Sequence, residues 1–267
     1  MEQESIDFNL VNDYQVKYVV FLDLLGFSEL VKKIGQDVME RHRVVEALKL
    51  VRDTLCPNAA INLRFTYFSD CIVISADHTA HALWQIFQSI ELLTCNLLQY
   101  DIFVRGGLSV GPTHHSNDFV FGTAVTEAYE LEKKASGPLV LVSPEVEQDA
   151  MKLGPDFTQW IKEDGATRSF VNYLMRYAEY AAEPLAGKVA LEYPAKLIAY
   201  SISQRLNNDK GRVLEKAQWF QAYWNGTVAA RGVLPRIETG ATLTKPDVVP
   251  TIIVRRLVAP VAPRKRE

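Results

Sequence analysis

The chain is 267 residues long, 48% hydrophobic, 10% aromatic and 23% charged, with a formal net charge of −3. These values place it among folded globular proteins, exclude global disorder and leave no broad basic footprint for nucleic acid. At roughly 100–200 residues per domain, the length allows one large domain or two modest ones, with a core that needs no covalent staples.

The chain starts acidic and polar from Met1 to Asp7, without the basic and apolar stretches of a signal peptide. Residues 1–16 read as an N-terminal segment. Tyr18–Leu24 is a β-rich apolar run, expected as a buried strand that Gly26 breaks. Asp23 also interrupts this run, and no stretch of 18 apolar residues exists, so no membrane span is expected. A short helix follows over Ser28–Ile34 and a longer one over Val38–Cys56. In the latter, Val44, Leu48, Val51 and Leu55 repeat at helical spacing, and Glu46 and Asp53 fall on the opposite, solvated face.

Two strands, Ala60–Phe68 and Cys71–Ser75, are separated only by Ser69 and Asp70, which predicts a tight hairpin without the favoured glycine. His81–Tyr100 is a strong helix whose Leu83, Trp84, Phe87, Ile90, Leu93, Leu97 and Leu98 belong to the core. Then come a strand over Val104–Val110, a polar loop over Pro112–Val120, a helix over Gly122–Ala135 and a strand over Leu139–Val142. Ser143 is expected to cap a further short helix. His114 and His115 fall in the polar loop and read as solvated surface, because no cysteine or glutamate completes a metal motif.

Past Gly165 the pattern turns helical, with a possible strand over Phe170–Met175 and helices over Ala195–Leu206 and Val213–Trp224. The order of elements predicts an α+β sandwich with a mostly antiparallel sheet and split βαβ units. Residues 17–175 would form the main domain and 176–248 a helical extension packed on it by Trp219, Phe220, Tyr223 and Trp224. Residues 249–267 form a tail with prolines and Arg255, Arg256, Arg264, Lys265 and Arg266, expected to be solvated. The three cysteines, Cys56, Cys71 and Cys95, lack CxxC spacing and fit a reducing, cytoplasmic setting.

Three short segments carry chemistry. Asp23 ends an apolar strand just before a turn and a helix start. A helix N-terminus accepts phosphate and a carboxylate repels it unless a divalent cation bridges the two, so Asp23 reads as a metal ligand or, more simply, as a cap. Asp70 reads as a turn residue or, if its strand neighbours that of Asp23, as the second ligand of a two-metal phosphoryl-transfer site. Arg105, in Arg105-Gly106-Gly107, suits phosphate oxygens by its planar fork, or is an edge arginine facing water. No P-loop, dinucleotide-binding or hydrolase signature is present.

Taken in order, Phe21–Phe27, Phe68–Cys71, Arg105–Gly107 and Gly122–Glu132 make the chain resemble the class III nucleotidyl cyclases over residues 17–145. That resemblance implies their ferredoxin-like βαβ fold. It implies that Asp23, Asp70 and the Leu24 carbonyl bind two Mg²⁺ or Mn²⁺ ions. It implies further that Arg105 contacts the triphosphate, that Gly26 and Phe27 cradle it, and that two active sites form across a homodimer interface. Departures are specific: Thr126 replaces the ribose-orienting asparagine, and Glu130 replaces the transition-state arginine. Arg168 and Lys134 are candidate substitutes for that cation. The base-selecting lysine aligns with Thr66 and its partner with Phe119, matching neither purine pattern.

That combination, with Ser169–Leu174 and Trp219 to Asn225, resembles the pyrimidine cyclases of the bacterial Pycsar antiphage system. The expected activity is therefore conversion of UTP to cyclic UMP and pyrophosphate, with a separate effector protein responding to the product. Thr66 and Tyr67 are the candidate base contacts and Thr126 a further substrate contact. Cyclic CMP synthesis, an adenylate or guanylate cyclase, and an inactive nucleotide-binding regulatory module remain the alternatives.

Overall fold

Alternation along β1 (Gln15–Leu25) sends Tyr18, Val20, Leu22 and Leu24 to one side of a sheet and Val19, Phe21 and Asp23 to the other. The computed structural model describes residues 14–244, apart from 36, 56, 183–185, 233, 235 and 242. Cys56, residues 1–13 and the basic tail lie outside the described residues.

The remaining strands are β2 (Arg64–Phe68), β3 (Cys71–Asp77), β4 (Phe103–His115), β5 (Val120–Gly122), β6 (Val140–Val142), β7 (Ile161–Glu163) and β8 (Ser169–Val171). They form one eight-stranded sheet in the order β2-β3-β1-β4-β6-β8-β7, with β5 paired to β4. Only the β4–β6 pairing is parallel. The helices are α1 (Phe27–Ile34), α2 (Val38–Thr54), α3 (Ala80–Leu98), α4 (Thr123–Lys134), α5 (Pro144–Leu153), α6 (Pro155–Thr158), α7 (Met175–Ala182), α8 (Ala186–Asn208) and α9 (Gly211–Thr227). The order β2-β3-β1-β4, with α1 and α2 joining β1 to β2 and α3 joining β3 to β4, is the split βαβ topology expected of a ferredoxin-like α+β fold.

The two faces are covered differently. On one, Val44, Ala47 and Val51 of α2 and Leu83, Phe87 and Ile90 of α3 bury Val20, Leu22, Leu24, Ile72 and Ile74. On the other, α4 lays Ala124 and Ala128 on Val19 and Val73. This contact is close because small residues meet. A Cβ at Gly107 would run into Ala128 O and Leu131 Cβ. The Ser109 hydroxyl donates to Ala124 O at 2.6 Å.

The C-terminal helices share the main core. Phe220 of α9 packs 5.3 Å from Phe103 of β4, and Trp219 lies edge-on to Phe170 at 5.6 Å. The Tyr223 hydroxyl accepts from Leu174 N at 3.0 Å and donates to Asn172 Oδ1 at 2.8 Å. Arg205 of α8 forks onto Asp101 at 2.9 and 2.8 Å. Among the described residues no helix is long and apolar enough to cross a membrane.

The structure departs from the sequence reading at several elements. The stretch expected as a strand from Ala60 begins as a 3₁₀ turn over Ala59–Ile61, because Asn58 caps it and Asn62 takes a left-handed φ of 48° before β2 begins. The expected polar loop over Pro112–Val120 is mostly strand. β4 continues through Pro112, opposite Val16, to His115 and turns back into β5. The expected strand over Phe170–Met175 is shorter, β8 ending at Val171, and it forms a hairpin with β7, which the sequence reading lacked. Helices α6 and α7 have no counterpart in the sequence reading, and α8 begins at Ala186 instead of Ala195.

Candidate metal and phosphate site

The antiparallel register sets Asp23 directly between Cys71 of β3 and Arg105 of β4. Asp70 occupies the β2–β3 turn, where Ser69 takes the left-handed region (φ 57°) that a two-residue hairpin demands. The turn is tied to the strand end by Leu24 N donating to Asp70 O at 2.9 Å. One ligand atom each from Asp23, Asp70 and Cys71 then lies within 4.8 Å of the others. The two aspartates, 47 positions apart in the chain, meet at one end of one sheet.

Arg105 and Glu132 complete the cluster. Arg105 Nη2 donates to Asp23 Oδ2 at 3.0 Å. It also lies 2.5 Å from Glu132 Oε1 as an ion pair, off the hydrogen-bonding direction. Glu132 sits on the sheet-facing stripe of α4 with Ala124 and Ala128, and only 4% of its side chain is exposed. Burial raises the Asp23 carboxyl above its ordinary value, with Arg105 opposing and Asp70 adding to the rise. Glu132 is raised by burial in the same way, Arg105 opposing and Asp23 adding.

This donor set fits a hard divalent ion. Three carboxylates face one guanidinium. Two carboxylate charges no more than 4.8 Å apart repel by about 3.5 kcal/mol or more at an effective dielectric of about 20. A divalent cation turns that repulsion into binding, and carboxylate oxygens suit Mg²⁺ or Mn²⁺. Burial and the neighbouring carboxylates, Asp70 first, push the Cys71 thiol up, so it offers a protonated sulfur and not a soft thiolate.

Directly after Leu24 the chain turns at Gly26 (φ 79°), and α1 begins at Phe27. The first helical bond runs from Leu30 N to Gly26 O. The amides of Phe27, Ser28 and Glu29 therefore have no helical acceptor and form an anion-accepting end beside the carboxylates. The Phe27 side chain points elsewhere, into the main core, so any ligand contact from this residue is through its backbone.

The other candidates are spread out. Thr66 lies on the Asp23 face of the sheet, paired with Val73, which is paired with Phe21. That offset is two strands and two residues, about 12 Å from Asp23 by sheet spacing. Its hydroxyl meets His115 Nε2 at 3.0 Å, and His115 Nδ1 meets Ser75 Oγ at 2.8 Å. Thr66 also lines a cleft of 530 Å³ with Arg64, Asn62, Ser116 and Asn117. Tyr67, the next residue, points to the opposite face and is half exposed. The Thr126 hydroxyl donates to Gly122 O at 3.3 Å on the exposed side of α4.

The two cations offered as substitutes for the absent arginine fare differently. Arg168 is committed to Asp164 Oδ2 (2.9 and 2.6 Å), Lys134 O (2.8 Å) and Ser136 Oγ (3.1 Å), where it clasps the end of α4. Lys134 is exposed in the last turn of α4. Glu130 is exposed and pairs with Lys133 at 2.7 Å.

Sequence reasoning missed three site residues. Glu132 closes the Gly122–Glu132 motif, and a carboxylate on the small-residue stripe of a helix is itself a signal. Cys71 was treated as an ordinary thiol. His115, read as surface, is fully buried, and His114 stacks between Phe119 and Phe121 at 5.3 and 5.2 Å. The His115 ring is buried with a partner at each nitrogen, Thr66 at Nε2 and Ser75 at Nδ1.

No protein-family model matches the chain, and no curated protein does. Among solved structures it is similar to an adenylate/guanylate cyclase/hydrolase from Silicibacter pomeroyi, at 19% identity over 59% of this chain and 94% of that one, with a TM-score of 0.41. It is also similar to a class III adenylyl cyclase-like ATP-binding protein from Pseudomonas aeruginosa, at 17% identity and a TM-score of 0.37. That match covers 54% of this chain and spans 37% of the other.

Proposed function

We propose that this protein is a nucleotidyl cyclase that converts UTP to 3′,5′-cyclic UMP and pyrophosphate, and that it serves as the signal-producing enzyme of a Pycsar-type antiphage response. The observation that carries the reading is the meeting of Asp23 and Asp70 beside a helix N-terminus. The ordered motifs that resemble class III cyclases supply the reaction, and their pyrimidine branch supplies the base.

In this reading Asp23, Asp70 and the Leu24 carbonyl hold two Mg²⁺ or Mn²⁺ ions, which supply charge neutralisation and activation of the ribose hydroxyl. The amides of Phe27 and its neighbours hold phosphate oxygens, with Gly26 allowing the close approach. Arg105 would offer its fork to the phosphates, and Glu132, beside it, would keep the guanidinium in place. The 3′-oxygen forms a bond to the α-phosphorus in line as the bond to the β-phosphate oxygen breaks. The hydroxyl proton goes to solvent and pyrophosphate leaves. Thr66 contacts the base and Thr126 the substrate sugar, whereas Tyr67, expected as a second base contact, leaves the opposite face of the sheet and has no part in it.

A homodimer with a site at the interface and a separate effector for the product belong to the same proposal. Supporting the dimer, edge strand β2 ends in Tyr67 and Phe68, the latter 82% exposed, and Phe119 and Phe121 stand exposed around β5. A cytoplasmic setting fits the reduced thiols of Cys71 and Cys95.

A second reading, a nucleotide-binding module without turnover, is favoured by Glu130, which puts a carboxylate where the resemblance requires a cation. Incubation with each nucleoside triphosphate and Mn²⁺, followed by mass spectrometry, separates the two. Cyclic UMP with pyrophosphate is expected from UTP, and Asp70→Asn is expected to lower its formation by at least about 100-fold. Cyclic AMP or GMP would reject the pyrimidine assignment. Tight binding without product would favour the module.

A further inference from the structure

A threonine hydroxyl both donates and accepts, so Thr66 by itself tells no carbonyl from an amino group. What stands behind it decides which sense it offers. Thr66 Oγ1 meets His115 Nε2 at 3.0 Å, and His115 Nδ1 meets Ser75 Oγ at 2.8 Å. Ser75 and His115 are fully buried, whereas Thr66 is partly exposed along the cleft of 530 Å³. The chain from Ser75 through His115 to Thr66 therefore runs from the interior to the cleft wall.

Hydrogen-bond accounting gives this chain a direction. Among the described residues, His115 is the only hydrogen-bond partner of the Ser75 side chain, which has no exposed surface. A proton on Nδ1 would be aimed at the Ser75 oxygen and would leave the Ser75 hydroxyl proton buried without an acceptor, at a cost that folded interiors avoid. The Ser75 hydroxyl therefore donates to Nδ1, and the ring carries its proton on Nε2 and donates it to Thr66 Oγ1. The Thr66 oxygen is then engaged as an acceptor, and its own O–H is left for the cleft. Arg64 lines the same cleft and has only donors to offer. The Asn62 carbonyl, an acceptor on that wall, is taken by Arg64 Nε at 2.8 Å.

We propose that Ser75 and His115 are positioning residues that fix Thr66 as a hydrogen-bond donor, so that the site takes uracil over cytosine. Where uracil presents a carbonyl oxygen, cytosine presents an amino group on the same ring carbon. A donor held in one sense pairs with the first and faces another donor in the second. The proposal rests on the nucleotide reading above, and it derives the choice between UTP and CTP from two buried side chains that touch no substrate.

The ring tautomer is read first, on the full chain without nucleotide, by long-range proton–nitrogen correlation, the His115 signals being assigned by their loss in His115→Gln. A protonated Nε2 and an unprotonated Nδ1 are expected, and a proton on Nδ1 overturns the proposal. Titration calorimetry with Mn²⁺ and the 3′-deoxy triphosphates of uridine and cytidine, which lack the attacking hydroxyl, then measures base choice without turnover. The parent should bind the uridine analogue at least about 10-fold more tightly, as one hydrogen bond made against one donor left unpaired requires. Ser75→Ala, which frees the ring to take either tautomer, and Thr66→Val, which removes the hydroxyl, should bring that ratio to within about threefold of unity, and Thr66→Ser should keep it. An unchanged ratio in Ser75→Ala or Thr66→Val overturns the proposal, as does a parent that binds both analogues alike. A uridine preference that depends on Ser75, in a protein that makes no cyclic nucleotide, upholds it and rejects the cyclase reading. Binding of neither analogue rejects both.

Discussion

His115 shows how a single side chain ties the two ends of the candidate site together. It bridges Ser75 and Thr66, which lie on neighbouring strands, and it arrives from the far end of β4. Removing the ring leaves both hydroxyls without their imidazole partner. His115→Ala is therefore expected to cost about 1–3 kcal/mol, read as a lowered midpoint in urea with the slope unchanged. Because Thr66 is the proposed base contact, the same variant should shift the ratio of kcat/KM for UTP and CTP more than it lowers pyrophosphate affinity. An unchanged ratio would remove Thr66 from base recognition.

Single residues also decide what was legible beforehand. Asp23 and Asp70 each end an apolar strand, and that position marks a carboxylate held by the fold. Glu132 was concealed because a motif reading looks along the chain, whereas its significance comes from facing Arg105 across a helix–sheet contact.

At the scale of elements, α4 against β4 sets the geometry of Arg105 and Glu132. Gly107 is the point of closest approach, and the atoms a Cβ would meet there include backbone, which cannot swing aside. Gly107→Ala is expected to cost about 1–3 kcal/mol by overpacking and to depress nucleotide binding along with stability, because α4 must lift from the sheet. Gly154→Ala makes a useful contrast. Its φ of 99° strains an alanine at a point remote from the site, with nothing within 4 Å of the added Cβ, so stability should fall while pyrophosphate affinity stays.

Helix α5 is pinned to the sheet by Asp149, which accepts from Tyr18 Oη (3.2 Å), His78 Nε2 (2.6 Å) and Lys152 Nζ (3.2 Å). Burial alone would raise this carboxyl. The hydrogen bonds, led by those from His78 and Lys152, outweigh it and hold the group below its ordinary value. A carboxylate depressed on folding contributes stability above its unfolded pKa and loses it as pH falls through the folded value. Asp149→Asn should therefore lower stability at pH 7, and the gap between variant and parent should close as the pH falls below the ordinary carboxylate range. A gap that persists undiminished in acid would show that the lost contacts matter by shape and not by charge.

For the molecule as a whole, the expected division at residue 175 meets a continuous core. Ala217, Phe220, Tyr223 and Trp224 of α9 belong to the same cluster as Leu22 and Phe87. We therefore expect one cooperative unfolding transition, coincident by far-ultraviolet circular dichroism and tryptophan fluorescence. Trp224, fully buried, should cost about 3–5 kcal/mol when replaced by alanine, a large share of a typical 5–15 kcal/mol. Two separate transitions would instead make the helical extension an independent unit.

The sequence by itself determined the period-two runs, the helical stripes and hence the α+β class and the split βαβ order, because hydrophobic periodicity is a local property that burial then rewards. It also supplied Asp23, Asp70 and Arg105 as chemistry-bearing residues in strand ends. Only the tertiary structure decided that these three meet, since register is fixed by pairing across the sheet and not by spacing in the chain. It alone decided that Glu132 joins them from a helix, that His115 is interior, and that Arg168 is committed elsewhere. In each case the deciding quantity is a contact between residues distant in sequence, whose partners no local pattern names.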